Sequence, residues 1–197
     1  VEGLSDFLRE KKVTVFGPSK AAAQIESSKS FAKNLMKQAK VPTADYIEFT
    51  REKIIEADAY LKNSNYPIVI KADGLAAGKG VIICENIEHA KQTIEKIFVE
   101  NVFGNSGDKI VIEEFLTGEE TSVFAITDGK DFLTLPPAQD HKRIGDNDTG
   151  KNTGGMGAYA PTPLVDEYLL TEIEKKIIYP VINQLNQKGI PFIGCLY

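Results

Sequence analysis

Ile68-Val69-Ile70-Lys71-Ala72-Asp73-Gly74-Leu75-Ala76-Ala77-Gly78-Lys79-Gly80-Val81-Ile82-Ile83 decides how this chain is read. Two β-branched runs flank a turn that contains Gly74, Gly78 and Gly80, with Lys71 ahead of it and Lys79 inside it. Glycine lets backbone N–H groups approach an anion with no Cβ in the way, and the two ammonium groups add point charges. The stretch therefore predicts a strand-loop-strand hairpin that covers phosphate, and it points to nucleotide chemistry. A Walker loop spells G-x-x-x-x-G-K followed by Ser or Thr and opens a helix. Here Gly74 and Gly78 stand closer together, Gly80 follows Lys79, and a strand comes next. The dinucleotide fingerprint fails for the same reason, since it too leads into a helix. An ordinary hairpin with a plain loop is the alternative.

Composition sets the frame around this hairpin. With 197 residues, 42% hydrophobic and 26% charged, the chain has room for a sizeable core in one domain or two small ones. A formal charge of -5, with lysines dispersed among acids, gives no basic footprint, so no nucleic-acid partner is expected. No apolar run approaches the roughly 20 residues that span a bilayer, and no signal peptide is visible, which predicts no membrane partner and a cytoplasmic setting. Cys84 and Cys195 sit in apolar strand-like runs without metal-ligand spacing, and they read as buried free thiols. Val1 is not an initiator methionine, and Phe192-Ile193-Gly194-Cys195-Leu196-Tyr197 looks like a strand cut short, so a fragment is expected.

Ahead of the hairpin, Lys12 to Phe16 reads as a strand, and Ser19 to Glu26 and Ser28 to Lys40 read as helices. Phe31, Leu35 and Ala39 give the second of these an apolar face, and Val41-Pro42 ends it. Thr50 is placed to cap a helix that carries Ile54, Ala57 and Leu61 inward. Asn86 is placed to cap another with Ile87, Ala90, Ile94 and Ile97 inward. Strands are predicted at Pro67 to Lys71, Val81 to Cys84, Lys109 to Phe115, Thr121 to Thr127 and Asp131 to Leu135, the last two joined by the turn signal Asp128-Gly129. Helices returning between strands of an antiparallel sheet make the fold class α+β.

Three further constellations carry chemistry. Lys29 falls in the first turn of its helix, where a cation is disfavoured by about 0.3–1 kcal/mol, and a phosphate would offset that cost; a solvated lysine is the alternative. Strand Lys109 to Leu116 ends in Glu113-Glu114, and Glu119-Glu120 follow. An adenine needs backbone hydrogen bonds in an apolar slot and a ribose diol needs a carboxylate, so this segment offers both; solvated acids at a strand end are the alternative. The third is a long polar loop from Gln139 to Gly157, too long to be a mere connector. It is not an EF-hand, because counting from Asp146 the sixth and twelfth positions are Lys151 and Gly157. Asp140, Lys142 and Arg143 are suited to hold a small substrate and to neutralise charge on a transferring phosphoryl group; a disordered loop is the rival. His141 reads as structural and His89 as a surface residue.

Taken together, Ser28-Lys29, the Ile70 to Val81 loop, Ile112-Glu113-Glu114-Phe115-Leu116 and the Gln139 to Gly157 loop resemble the phosphoribosylamine-glycine ligase family, also called glycinamide ribonucleotide synthetase. Many ATP-grasp enzymes share the lysines and the acidic strand end. The combination of Asp140-His141-Lys142-Arg143 with Asn152-Thr153-Gly154-Gly155-Met156-Gly157-Ala158-Tyr159 looks particular to this ligase.

The resemblance implies an ATP-grasp fold with one complete small lobe and part of the larger one. Residues 1–47 would be the tail of an N-terminal domain and linking helices, 48–115 the glycine-loop lobe, and 116–197 the first part of the large lobe. Lys29 and Lys71 would contact ATP phosphates, and Gly74, Gly78, Lys79 and Gly80 would close over them. Glu113 would lie near the adenine amino group, backbone at Glu114 and Leu116 would read the adenine edge, and Glu120 would accept from the ribose. Asp140 would hold glycine together with Asn152, Thr153, Gly154 and Gly155, while Lys142 and Arg143 would act on the phosphoryl group. The implied reaction is ATP-dependent joining of glycine to 5-phosphoribosylamine through glycyl phosphate, in purine biosynthesis. Magnesium or manganese would be held by residues beyond Tyr197, so the chain alone is expected to be inactive. Three other readings stand beside this one: another ATP-grasp ligase or a carboxylase such as biotin carboxylase, a non-catalytic nucleotide-binding module, and an inert remnant.

Overall fold

The computed structural model describes residues 2–76, 79–146 and 149–197, without the side chains of Arg143, Lys151 and Asn152. In chain order it runs through helices α1 (Leu4–Glu10), α2 (Gln24–Ser27) and α3 (Lys29–Gln38), strand β1 (Tyr46–Thr50), helix α4 (Ile54–Leu61), strands β2 (Ile68–Ala72) and β3 (Val81–Cys84), helix α5 (Ile87–Phe98) and strand β4 (Lys109–Glu114). There follow β5 (Ala125–Thr127), β6 (Phe132–Thr134), β7 (Gln139–Asp140), β8 (Arg143–Gly145), β9 (Thr149–Asn152), β10 (Ala158–Tyr159), α6 (Glu167–Ile173), α7 (Tyr179–Gln187) and β11 (Gly194–Leu196). The chain divides into two units, one made of Gln24–Lys37 and Pro42–Thr117 and the other of Val1–Ala23, Gln38–Val41 and Gly118–Tyr197.

The first unit is built on an antiparallel sheet of order β1-β4-β2-β3. The β2-β3 hairpin forms as expected, pairing Ile68 with Cys84 and Lys71 with Val81. Because side chains alternate along a strand, Phe49, Ile68, Ile70, Cys84, Ile110 and Ile112 share one face. They close a core with Ala57 and Leu61 of α4 and with Ala90, Ile94, Ile97 and Phe98 of α5. Burying each of the large residues is worth roughly 1.5–3 kcal/mol, so truncating Ile112 to Ala would cost about 2–5 kcal/mol. The same alternation puts Tyr46, Glu48, Lys71, Lys109 and Glu113 on the other face. That charged face is covered by α3, through Ser30, Lys33 and Asn34. The sheet thus has a dry side and an electrically active side.

Local signals hold unevenly. Asn86 caps α5 as expected, its side chain accepting from the His89 amide at 2.9 Å. Thr50 makes no side-chain cap; a 3-10 turn, Arg51–Lys53, comes first, because the Arg51 amide is anchored to the Asp108 carbonyl at 3.1 Å. The expected strand at Lys12 to Phe16 is not a strand: among the described residues it joins no ladder, and Val13 and Phe16 are exposed. The predicted helix Ser19 to Glu26 is helical only from Gln24, in α2 (Gln24–Ser27), the Ala23 amide closing a turn on Ser19 O before it.

The second unit centres on a sheet of order β11-β5-β6. The Asp128-Gly129 turn forms, with Asp128 Oδ1 accepting the Lys130 and Asp131 amides at 2.8 Å each. Thr121 to Thr127 is strand only from Ala125, since Ser122 is tied by an isolated bridge to Ala138 instead. Helix α6 leads through a π turn, Glu174–Ile178, into α7. Pro180 has no N–H for the preceding turn, and the widened turn absorbs that loss. Among the described residues no helix is long and apolar enough to cross a membrane.

Candidate functional site

On the charged face of the first unit, Glu113 Oε2 receives two ammonium groups, Lys71 at 2.8 Å and Lys33 at 3.2 Å. The register explains the first contact. Val69 pairs with Glu113 and Lys71 with Val111, so Lys71 and Glu113 are diagonal neighbours on one face. The side chain of Glu113 is 6% exposed, that of Lys33 8% and that of Lys71 26%, so the carboxylate is buried and Lys71 sits nearest to water. Burial pushes the Lys33 ammonium below its ordinary value, and the Glu113 carboxylate opposes that shift. Glu114 faces the other way, its Oε1 accepting from the Asp45 amide at 2.9 Å while its own amide donates to Asp45 O at 3.0 Å. Leu116, just past the strand, is exposed.

The end of the glycine hairpin is fastened to the start of α3. Asp73 Oδ1 accepts from the Ser30 amide at 2.6 Å, and Ser28 Oγ donates to the same carboxylate while accepting the Phe31 amide at 3.1 Å. Asp73 and Ser28 thereby satisfy amides that a helix start leaves open. Lys29 Nζ lies against Ala72 O at 2.7 Å and Gly74 O at 3.1 Å. Its unfavourable place at the positive end of α3 is therefore offset from within the chain, by loop carbonyls and by Asp73. Burial lowers the Lys29 pKa, and Asp73 works against that.

The described glycines of the hairpin serve close packing rather than left-handed backbone. A Cβ on Gly74 would meet Ser106 Cα at 2.8 Å, and one on Gly80 would meet the Ala76 Cβ at 2.7 Å. Neither has a positive φ. Ser106 Oγ also donates to Leu75 O at 2.8 Å, bracing this side of the loop. Lys79 is exposed. Gly78 lies outside the described residues.

In the second unit the expected long loop is instead two short ladders, β7 with β10 and β8 with β9. Backbone pairing needs no apolar alternation, which is why this polar stretch reads as loop. Thr153 supports it, both its amide and its hydroxyl donating to Lys142 O at 2.6 and 2.8 Å. The Thr153 Oγ1 also accepts the Gly155 amide at 3.0 Å, and Gly154 is exposed. Lys142 Nζ stands between Glu120 Oε2 at 3.2 Å and Asp140 Oδ1 at 3.8 Å. Burial works against its charge, but Glu120, with smaller help from Tyr197 and Asp140, outweighs it and the Lys142 pKa rises. His141 stacks on Tyr159, their ring centroids 5.8 Å apart. Arg143 and Asn152 pair across β8 and β9 by backbone; their side chains are outside the description.

The structure thus gathers Lys29, Lys71, Gly74, Gly80 and Glu113 in one unit and Glu120, Asp140, Lys142 and Thr153 in the other. Sequence reasoning missed Lys33. The available signal was a lysine row at i, i+4, i+8 on α3, formed by Lys29, Lys33 and Lys37.

Residues 27–197 match the family model for the phosphoribosylglycinamide synthetase ATP-grasp (A) domain. The chain is 49% identical over its whole length to a bifunctional purine biosynthetic protein of Pichia angusta, covering 25% of that protein. It is 48% identical, again over its whole length, to a phosphoribosylamine–glycine ligase of Leptospira interrogans, covering 46% of it. Among solved structures it resembles the phosphoribosylamine–glycine ligase of Thermotoga maritima, at a TM-score of 0.83 and 36% identity over 92% of this chain and 45% of that one. The chain spans less than half the length of these relatives.

Proposed function

The chain belongs to the phosphoribosylglycinamide synthetase family of ATP-grasp domains, and we propose that it carries the nucleotide site of an ATP-dependent ligase joining glycine to 5-phosphoribosylamine. The observation that carries this reading is the charged sheet face beneath the glycine hairpin, where a buried carboxylate holds Lys71 beside the Lys29 end of α3. Residues 48–115, with α3 packed on them, form the glycine-loop lobe, and 116–197 serve the substrates.

In this reading Lys71 and Lys29 meet the nucleotide phosphates, Lys29 by giving up the carbonyls of Ala72, Asp73 and Gly74 that it now contacts, and Gly74, Gly78, Lys79 and Gly80 cover them. The Glu114 amide is already bonded to Asp45 O, so the adenine edge meets the Glu114 carbonyl and the backbone of Leu116, with Glu113 near its amino group. Glu120 accepts from the ribose hydroxyls, which requires it to leave Lys142. Glycine is held by Asp140, which suits its ammonium group, with Asn152, Thr153, Gly154 and Gly155; one of its carboxylate oxygens attacks the γ-phosphorus, and ADP departs. The amine of phosphoribosylamine then attacks the acyl carbon and expels phosphate. Lys142 and Arg143 neutralise charge on the phosphoryl oxygens as it develops. Divalent magnesium or manganese goes with ATP in such chemistry. Among the described residues no three metal-binding side chains come together. Both cysteines are free, Cys84 buried as expected but Cys195 exposed, and free thiols suit a reducing compartment such as the cytoplasm.

Calorimetric titration of magnesium-ATP into this chain and into Lys71→Ala tests the reading. Binding by the wild type that is lost in the variant is the expected result; no binding by either overturns it. Glycine dependence of ADP formation, measured on a chain extended past Tyr197, would separate this ligase from other ATP-grasp ligases and carboxylases.

A further inference from the structure

Lys33 is a buried lysine with its donors already engaged. Its Nζ donates to Thr43 Oγ1 at 2.7 Å and Ala44 O at 3.1 Å, pairs with Glu113 Oε2 at 3.2 Å, and lies 5.5 Å from the centre of the Tyr46 ring. An ammonium has three donors, and those three oxygens take them all. Lys33 therefore has nothing left to offer a ligand directly. Lys71 differs: among the described residues its ammonium contacts Glu113 alone, and it is the more exposed partner. Both ammonium groups fall on the same oxygen, Oε2.

A buried carboxylate stripped of its only counter-ion is strongly unfavourable, whereas one that keeps a partner is not. We propose that Lys33 is a positioning residue for phosphate binding: it stays on Glu113 Oε2, so that Lys71 can swing to a ligand phosphate without stranding a buried charge. This inference rests on the reading that Lys71 meets nucleotide phosphate. The burial and full hydrogen bonding of Lys33 give it the fixed position that the role needs, while the single contact of Lys71 gives it freedom to change partner. In the absence of Lys33, Lys71 becomes the sole counter-ion of Glu113 and is held back from the ligand.

The test is a cycle of magnesium-ATP affinities, by calorimetry, for wild type, Lys33→Met, Glu113→Gln and the double variant. Lys33→Met is expected to weaken binding about tenfold in the wild-type background. In the Glu113→Gln background, where no buried carboxylate remains, the same substitution is expected to change affinity by less than about threefold. Lys33→Arg, which keeps the charge, should stay close to wild type. Equal weakening in both backgrounds would assign Lys33 a merely structural role and overturn the proposal, as would unchanged affinity in Lys33→Met. Where Lys33→Met does not melt cooperatively, Lys33→Gln takes its place, keeping a donor for Ala44 O. If the wild-type chain binds no magnesium-ATP, the phosphate reading fails and this inference with it. If the wild type binds and only the cycle fails, that reading stands and the role of Lys33 alone is lost.

Discussion

The two units hold the same ingredients in inverted ratio. In the first, one carboxylate, Glu113, sits between two lysines and is 6% exposed. In the second, one lysine, Lys142, 40% exposed, sits between two carboxylates, of which Glu120 is 79% exposed. The contact distances overlap, at 2.8 and 3.2 Å against 3.2 and 3.8 Å. The electrical outcomes are opposite. Around Glu113, desolvation wins and the Lys33 pKa falls; around Lys142, the carboxylates win and the pKa rises. Burial, rather than the number of ion pairs, decides whether such a cluster fixes geometry or merely leans one way in water. The Glu113 cluster can hold a position, and the Lys142 cluster can exchange partners cheaply.

The largest effect expected from this contrast is in Glu113→Ala. Removing the shared carboxylate leaves Lys33 buried without its counter-ion and should destabilise the first unit by about 3–5 kcal/mol in urea unfolding. A loss below about 1 kcal/mol would erase the distinction between the clusters. Lys71→Met comes next, at about 1 kcal/mol, because its side chain is partly solvated and Lys33 still neutralises Glu113. Lys142→Met should be smallest, under about 0.5 kcal/mol and absent in about 1 M salt. Its pH dependence has a definite sign. A folded pKa above the ordinary 10.5 means that the contribution is fully present below 10.5 and fades as pH rises through the folded value. Melting temperatures of wild type and Lys142→Met should therefore converge on the alkaline side; a gap that widens there would contradict the arrangement around Glu120.

The sequence was most readable where alternation and turn chemistry agree. The β2-β3 hairpin, the Asn86 cap and the Asp128-Gly129 turn all follow from local rules, and Lys29, Lys71 and Glu113 stand out because the hairpin and strand end make their surroundings predictable. Lys33 did not, because a lysine within an amphipathic helix reads as solvated. Only the register that brings Glu113 opposite Tyr46 reveals a polar sheet face beneath it. The ladders of β7 to β10 were hidden for a related reason: their order comes from main-chain bonds such as Met156 N to His141 O at 2.7 Å, which no side-chain pattern announces. Lys12 to Phe16 erred in the other direction, its β-branched residues suggesting a strand although no neighbour pairs with it among the described residues. Helix α1 was missed since Gly3 ahead of it offers no side-chain cap.

The bond from the Ser30 amide to Asp73 Oδ1 makes a helix start answerable to a hairpin. Ordinarily the first amides of a helix exchange with deuterium by fraying, on a clock set by the helix itself. Here release of the Ser30 amide also requires the Asp73 carboxylate to withdraw, so its exchange is expected to report on the end of the β2-β3 turn as well as on fraying of α3. One amide in the first turn of α3 thus offers a gauge of the glycine hairpin, readable without labelling the loop at all.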